Sequence, residues 1–345
     1  MKQNWLDALA DKPKQGANVE VTIDPELQQA AYDQLVGPGY EGSAVAIQPS
    51  TGKVLAMASN PGYNPNDLMG DSAEDNWANL QEQEGQPLVN HAGAETLPPG
   101  SIFKIITTAA GLNNGFDPSS TLTGSNVITL PDTVTELTNY ANQKCNGQDS
   151  VTLQTAFALS CNTAFVEMSE QIGADELRKY AKAFGVGENY DLGVSTSGGT
   201  LGDLPDGAAT AQSAIGQRDV TMTALQAAVM AATVANKGTR MQPYLVNRIT
   251  DAQMKNVRTT KPKKADQAVN EETAATLTDL MYASERSSWG YDGNGFASKT
   301  GTAEHGEGLA PHVWYVAFDP ERDIAVGVVV KNGGNLGESA TGGKV

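Results

Sequence analysis

The chain has 345 residues, 39% of them hydrophobic, with 36 glycines and a formal net charge of -17. That length gives one large or two medium domains ample volume for a hydrophobic core, so a disulfide-stapled miniprotein is excluded. The acidic balance argues against a nucleic-acid partner, because binding by counterion release needs a basic surface.

The richest basic stretch, Lys261-Pro262-Lys263-Lys264, reads as an exposed loop. No apolar run reaches the ~18 residues of a membrane span, and Met1-Lys2-Gln3-Asn4-Trp5 lacks the apolar region of a signal peptide. Cys145 and Cys161 have no C-x-x-C spacing, so a zinc site is not expected. They are either two free thiols or one disulfide, and spacing leaves both open.

Residues 1–18 read as a linker punctuated by Pro, Lys and Gly. Val19 to Ile23 alternates as a strand, and Asp24-Pro25-Glu26 starts a helix with Asp24 as N-cap. Ser43 to Pro49 and Lys53 to Ser59 form a hairpin across Ser50-Thr51-Gly52. Tyr63 to Pro87 is polar loop with a helix around Ala78 to Glu84. Pro98-Pro99-Gly100-Ser101 precedes a buried helix from Ile102 to Leu112, and Gly111 to Gln148 is an excursion rich in Thr, Asn, Gly and Pro.

Three helices follow over Thr152 to Leu159, Asn162 to Ile172 and Ala174 to Phe184. A further apolar helix spans Thr221 to Asn236 and ends at Gly238. The last third predicts a helix from Glu271 to Arg286 and strands over Gly295 to Ala303, His312 to Asp319 and Asp323 to Lys331. The pattern is α+β: a central, mostly antiparallel sheet with strands from both ends of the chain, flanked by helices, plus an all-helical subdomain. Residues 19–345 then form one domain, with helices of roughly 100–240 inserted between sheet-forming segments 19–60 and 290–332.

A serine hydroxyl is a poor nucleophile at neutral pH and needs a base within hydrogen-bond reach. In Ser101-Ile102-Phe103-Lys104 the lysine lies one helical turn on, on the same face. A helix start there also offers free backbone N–H groups to an oxyanion. Ser50-Thr51-Gly52-Lys53 matches the same pattern, but Gly52 places it in a hairpin turn where the side chains need not converge. Two further motifs follow Ser101 in order: Ser160-Cys161-Asn162 at a break between helices and Lys299-Thr300-Gly301-Thr302 on a strand. Taken singly, each reads as a helix cap or a strand end; together they point to one site.

With these motifs, from Gly16 onward, the sequence resembles the transpeptidase domain of class B penicillin-binding proteins, most closely the penicillin-binding protein A type of actinobacteria. Supporting stretches include Val21-Thr22-Ile23-Asp24-Pro25, Ala158-Leu159-Ser160-Cys161-Asn162-Thr163 and Ser298-Lys299-Thr300-Gly301-Thr302-Ala303-Glu304-His305. The resemblance implies a D,D-transpeptidase acting on peptidoglycan stem peptides ending in D-Ala-D-Ala and acylated by β-lactam antibiotics. It implies that Ser101 is the nucleophile and Lys104 its base, that Ser160 relays a proton to the leaving amine, and that Asn162 holds Lys104 and the substrate amide. Lys299, Thr300 and Thr302 would bind the terminal carboxylate, the N–H groups of Ser101 and Thr302 would form the oxyanion hole, and Gly301 would leave room for the acyl group. Other cell-wall synthesis proteins are the expected partners, at the extracytoplasmic face of the membrane through an N-terminal anchor not present in this chain.

His91, His305 and His312 form no metal-like pair, so no metal and no cofactor are expected. A Ser-His-Asp triad through His305 is the catalytic rival, weakened because no serine sits in a G-x-S-x-G elbow. No Glu is followed four residues later by Asn, the pattern that carries the deacylating base of class A β-lactamases, so a long-lived β-lactam adduct is expected. The family's G-Q-G element reads Gly216-Gln217-Arg218, and the family's C-terminal helix is apparently missing after Lys344-Val345. A D,D-carboxypeptidase and a non-catalytic β-lactam-binding sensor or scaffold are the alternatives.

Overall fold

The computed structural model describes residues 16–288, 291–306 and 308–335. Strand β1 (Asn18–Val21) leads into helix α1 (Pro25–Val36), where the Asp24 side chain accepts from the Glu26 and Leu27 amides and Pro25 occupies the first turn. The cap satisfies donors that have no partner inside the helix. Strands β2 (Gly42–Ile47) and β3 (Val54–Asn60) form the expected hairpin. The polar segment after it holds a helix at Ala73–Glu82, earlier than the sequence pattern suggests; Glu74 and Asp75 favour a helix start there through the dipole.

The nucleophile segment is a single 3-10 turn (Gly100–Phe103) running into helix α2 (Lys104–Leu112). Every residue of α2 from Lys104 to Gly111 is buried. The excursion that follows is built of short paired strands, Thr121–Thr123 with Ser150–Thr152 and Val127–Thr129 with Glu136–Thr138. Helix α3 (Leu153–Ala158) precedes α4 (Asn162–Ala183), which breaks at Gly173 with φ 73°, so the expected pair of helices is one element with a kink. Helices α5 (Gly207–Ala214) and α6 (Ala224–Ala235) complete the helical block.

Strands β4 (Val246–Thr250) and β5 (Asn256–Thr259) join β1 in a small sheet ordered β1-β4-β5. The first strand therefore lies outside the central sheet, which corrects its assignment to segment 19–60. Lys264 opens a short strand, Lys264–Gln267, paired with Thr239–Met241, so the basic stretch is only partly loop. After α7 (Glu271–Ser287) come β6 (Ala297–Ala303), β7 (His312–Asp319) and β8 (Ile324–Val330).

The central sheet is antiparallel throughout and ordered β6-β7-β8-β2-β3, so β8 pairs with β2 and joins the two ends of the chain. The helical block is not a detached insertion. Helix α6 lies on the sheet, and Gly327 of β8 leaves room for it: a Cβ there would meet Ala228 N at 2.4 Å. One continuous apolar core runs from Val45 and Ile47 through Ile105, Phe165 and Leu225 to Trp314. The expected C-terminal helix and most of the linker concern residues outside those described.

Candidate active site

Ser101 sits half-buried on the 3-10 turn, which is locked from two sides by glycine backbone. Gly100 has φ +53°, and a Cβ on it would meet Thr302 O at 2.3 Å. Gly216 has φ +73°, a Cβ on it would meet Gly100 O at 2.1 Å, and its carbonyl accepts the Gly100 amide at 2.9 Å. Only glycine tolerates such approach in the left-handed region. The turn carrying Ser101 is thus pressed directly against the β6 residue Thr302. The indole of Trp314 donates to Pro98 O at 2.8 Å and holds the approach to the turn on β7.

Lys104 is fully buried beneath the turn. Its Nζ donates to Ser160 O at 2.8 Å and Asn162 Oδ1 at 2.7 Å, with Ser160 Oγ at 3.4 Å. The Ser101 hydroxyl is not among these partners. Burial, helped by the nearby Lys299 charge, pushes Lys104 well below its usual 10.5. A lysine held in this way can, once neutral, use its free lone pair to take a serine proton.

Lys299 is also fully buried; its Nζ donates to Ser160 Oγ at 3.0 Å and to Thr300 O at 2.9 Å. Desolvation brings it down to about 7. Ser160 Oγ therefore stands between the two amines. Phe165 and Phe157 lie under them, at 5.2 Å from Lys104 Nζ and 5.9 Å from Lys299 Nζ. Ser160 has φ +60°, a conformation that costs a non-glycine residue about 1 kcal/mol or more and persists where surroundings over-determine it. Part of that surrounding is a disulfide joining Cys161, the middle residue of Ser160-Cys161-Asn162, to Cys145, with Cα atoms 5.7 Å apart. Asn162 Nδ2 adds a bond to Thr138 O at 3.1 Å.

Strand β6 is an edge of the sheet, so its outer backbone groups are free to pair with an extended peptide. Thr300, half-buried, and Thr302, exposed, share one face of β6, while Lys299 and Gly301 lie on the opposite, buried side against the nucleophile turn. Gly301 is required by the packing of the fold itself. A Cβ there would meet Pro99 O at 2.8 Å and Ile102 Cγ2 at 3.0 Å, so its absence leaves room for the nucleophile turn.

The rival assignments separate cleanly. Ser50 bonds Asp323 through its backbone N at 3.0 Å and through its hydroxyl, in the hairpin turn. His305 stacks on His312 at 3.7 Å, and its Nε2 faces Ala310 O and Asn332 Oδ1, with no serine hydroxyl attached among the described residues. Among the described residues no cluster of His, Cys, Asp and Glu could hold a metal. Sequence reasoning missed Phe157 and Phe165, whose only signal was ordinary helical periodicity, and the backbone contact of Gly216 with Gly100.

Two buried lysines bridged by a serine, beneath a second serine and beside an edge strand, define a penicillin-interacting serine enzyme of the β-lactamase-like fold. The chain belongs to the penicillin-binding protein transpeptidase family: the family model described as "Penicillin binding protein transpeptidase domain" matches residues 42–345. It is 44% identical, over 98% of its length, to the peptidoglycan D,D-transpeptidase PbpA of Mycolicibacterium smegmatis, of which it spans 72%. The corresponding PbpA of Mycobacterium tuberculosis is 42% identical over the same 98% and 72%. Its structure superposes on penicillin-binding protein A from M. tuberculosis, solved as a ceftriaxone acyl-enzyme, with TM-score 0.92 and 40% identity, covering 99% of this chain and 80% of that one. A D,D-transpeptidase domain from Eggerthella lenta gives TM-score 0.83 at 28% identity, with 95% and 82% covered.

Proposed function

We propose that the chain is a D,D-transpeptidase that cross-links peptidoglycan stem peptides and is covalently inhibited by β-lactams. The observation that carries this reading is the Lys104–Ser160–Lys299 cluster buried directly under the Ser101 turn. Ser101 Oγ attacks the carbonyl carbon of the penultimate D-Ala while its proton passes to the free lone pair of Lys104. The N–H groups of Ser101 and Thr302 receive the oxyanion. As the C–N bond breaks, the proton moves from Lys104 through Ser160 Oγ to the departing amine of the terminal D-Ala. An amino group of a second stem peptide then attacks the ester, gives its proton to Lys104, and Ser101 is restored.

Lys299, Thr300 and Thr302 bind the substrate carboxylate, and the same carboxylate on a β-lactam explains its capture. Asn162 keeps Lys104 aimed and offers its second amide N–H to the substrate. The Cys145–Cys161 disulfide supports an oxidising, extracytoplasmic setting. Membrane attachment would be through a segment outside the described residues, among which no helix is long and apolar enough to cross a membrane. Other cell-wall synthesis proteins are its proposed partners.

The test is incubation with a D-Ala-D-Ala stem peptide and an amine acceptor, scoring both D-Ala release and dimer. D-Ala release without dimer makes the enzyme a carboxypeptidase; penicillin labelling with neither product makes it a sensor. Ser101→Ala abolishes covalent penicillin labelling and Ser50→Ala keeps it.

A further inference from the structure

Tyr140 is 88% exposed, yet it stands at the head of one of the most tightly tied turns in the excursion. That excursion reaches the catalytic cluster through Thr138, whose carbonyl accepts from Asn162 Nδ2 at 3.1 Å, while Asn162 Oδ1 takes the Lys104 amine at 2.7 Å. Tyr140 follows two residues later, so its Cα lies within about 7 Å of that of Thr138.

The turn is stiff. Asn139, only 7% exposed, donates from Nδ2 to Ser125 O at 2.9 Å and Thr163 Oγ1 at 3.1 Å, and its Oδ1 accepts from the Thr163 amide at 3.0 Å. Asn126 Nδ2 holds Asn142 Oδ1 at 3.0 Å, and Cys145 closes the segment onto Cys161. Directly after Tyr140, Ala141 and Asn142 have φ 52° and φ 55°. An alanine in the left-handed region is a local cost that folding does not require, and such residues cluster where a surface has a task.

A large ring held out in water by a strained, over-determined turn gains nothing for the core, since burying it would stabilise the fold. Lys144, four residues on, is paired with Asp149 at 2.6 Å.

We propose that Tyr140 is a specificity-determining residue of the acyl-donor subsite. Its ring packs on the substituent attached to the amide that Asn162 holds. In a stem peptide this is the residue preceding the penultimate D-Ala; in a β-lactam it is the acylamino side chain. This rests on the acyl-transfer reading of Ser101 and Asn162 given above.

The experiment compares second-order acylation by benzylpenicillin, which carries an aryl acylamino side chain, with that by aminopenicillanic acid, which has none. The ratio of the two rates falls about three- to tenfold in Tyr140→Ala, the size of one lost aromatic contact, and Tyr140→Phe restores it. A ratio in Tyr140→Ala equal to the wild-type ratio overturns the proposal, as does a Tyr140→Phe protein that behaves like the alanine variant. Failure of both compounds to label the wild-type protein is the separate failure of the functional reading.

Discussion

Replacing Lys299 by methionine should make the protein inactive and more stable at once. Lys299 is fully buried and desolvation takes its pKa from 10.5 to about 7. A displacement of that size corresponds to about 5 kcal/mol of disfavoured charge. Two hydrogen bonds, at 3.0 Å to Ser160 Oγ and 2.9 Å to Thr300 O, offset part of the cost. Methionine has similar length and no charge to desolvate, so a net gain of about 2–4 kcal/mol is expected at neutral pH.

The pH dependence distinguishes this cause from simple repacking. Between about pH 7 and 10.5 the unfolded chain still binds the Lys299 proton that the folded chain has released, so wild-type stability rises with pH across that window. Below it both states are protonated and the full penalty stands; above it the penalty is gone. Urea unfolding at about pH 6, 8 and 10 should therefore show a wide gap that closes, while penicillin labelling of Lys299→Met is lost throughout. A gap that does not narrow with pH, or a variant less stable than wild type at the lowest pH, would refute a desolvated charge at this position.

Two further outcomes follow from the geometry around Ser101. Removing the disulfide by Cys145→Ser with Cys161→Ser opens a loop of separation 16 and should cost about 3 kcal/mol of stability, with slower acylation because Ser160 and Asn162 lose their brace; denaturant unfolding and stopped-flow labelling measure both. Gly216→Ala drives a Cβ to 2.1 Å from Gly100 O and should cost at least about 3 kcal/mol and most acylation, whereas Gly115→Ala, at φ +92° with nothing within 4 Å, should cost about 1 kcal/mol and leave labelling intact. Thermal unfolding and penicillin labelling of the two variants check the contrast.

The sheet and the apolar helix α6 were legible because their signals are long and apolar: His312–Asp319 has the expected bounds, and Ala224–Ala235 is apolar apart from Gln226 and Thr233. The side sheet was legible only at β1, because β5 is four exposed residues and its partner β4 pairs with a strand more than two hundred positions away. No local periodicity records such a pairing. At the site, Ser101, Lys104, Ser160, Asn162 and Lys299 could be read as a set since the chemistry constrains residue type and spacing. The purpose of Gly301 could not, because it depends on how closely Pro99 and Ile102 approach across the fold. Arg218 is a similar case: it takes φ +62°, and its guanidinium reaches Asp203 O and Asp219.

The strand order carries a consequence for how the enzyme comes into being. β8, the last strand of the central sheet in sequence, is the one that joins β7 to β2, in the register Val330 to Gly42. The nucleophile and its base are made about two hundred residues before Lys299, but their strand partner docks through the sheet that β8 completes. Pairings at such separation form late, after the local helices. A growing chain would therefore hold Ser101 and Lys104 without the second amine, and the ability to be labelled by penicillin would arise only once β8 has been made and docked. Covalent labelling is in this sense a chemical clock for the closing step of folding.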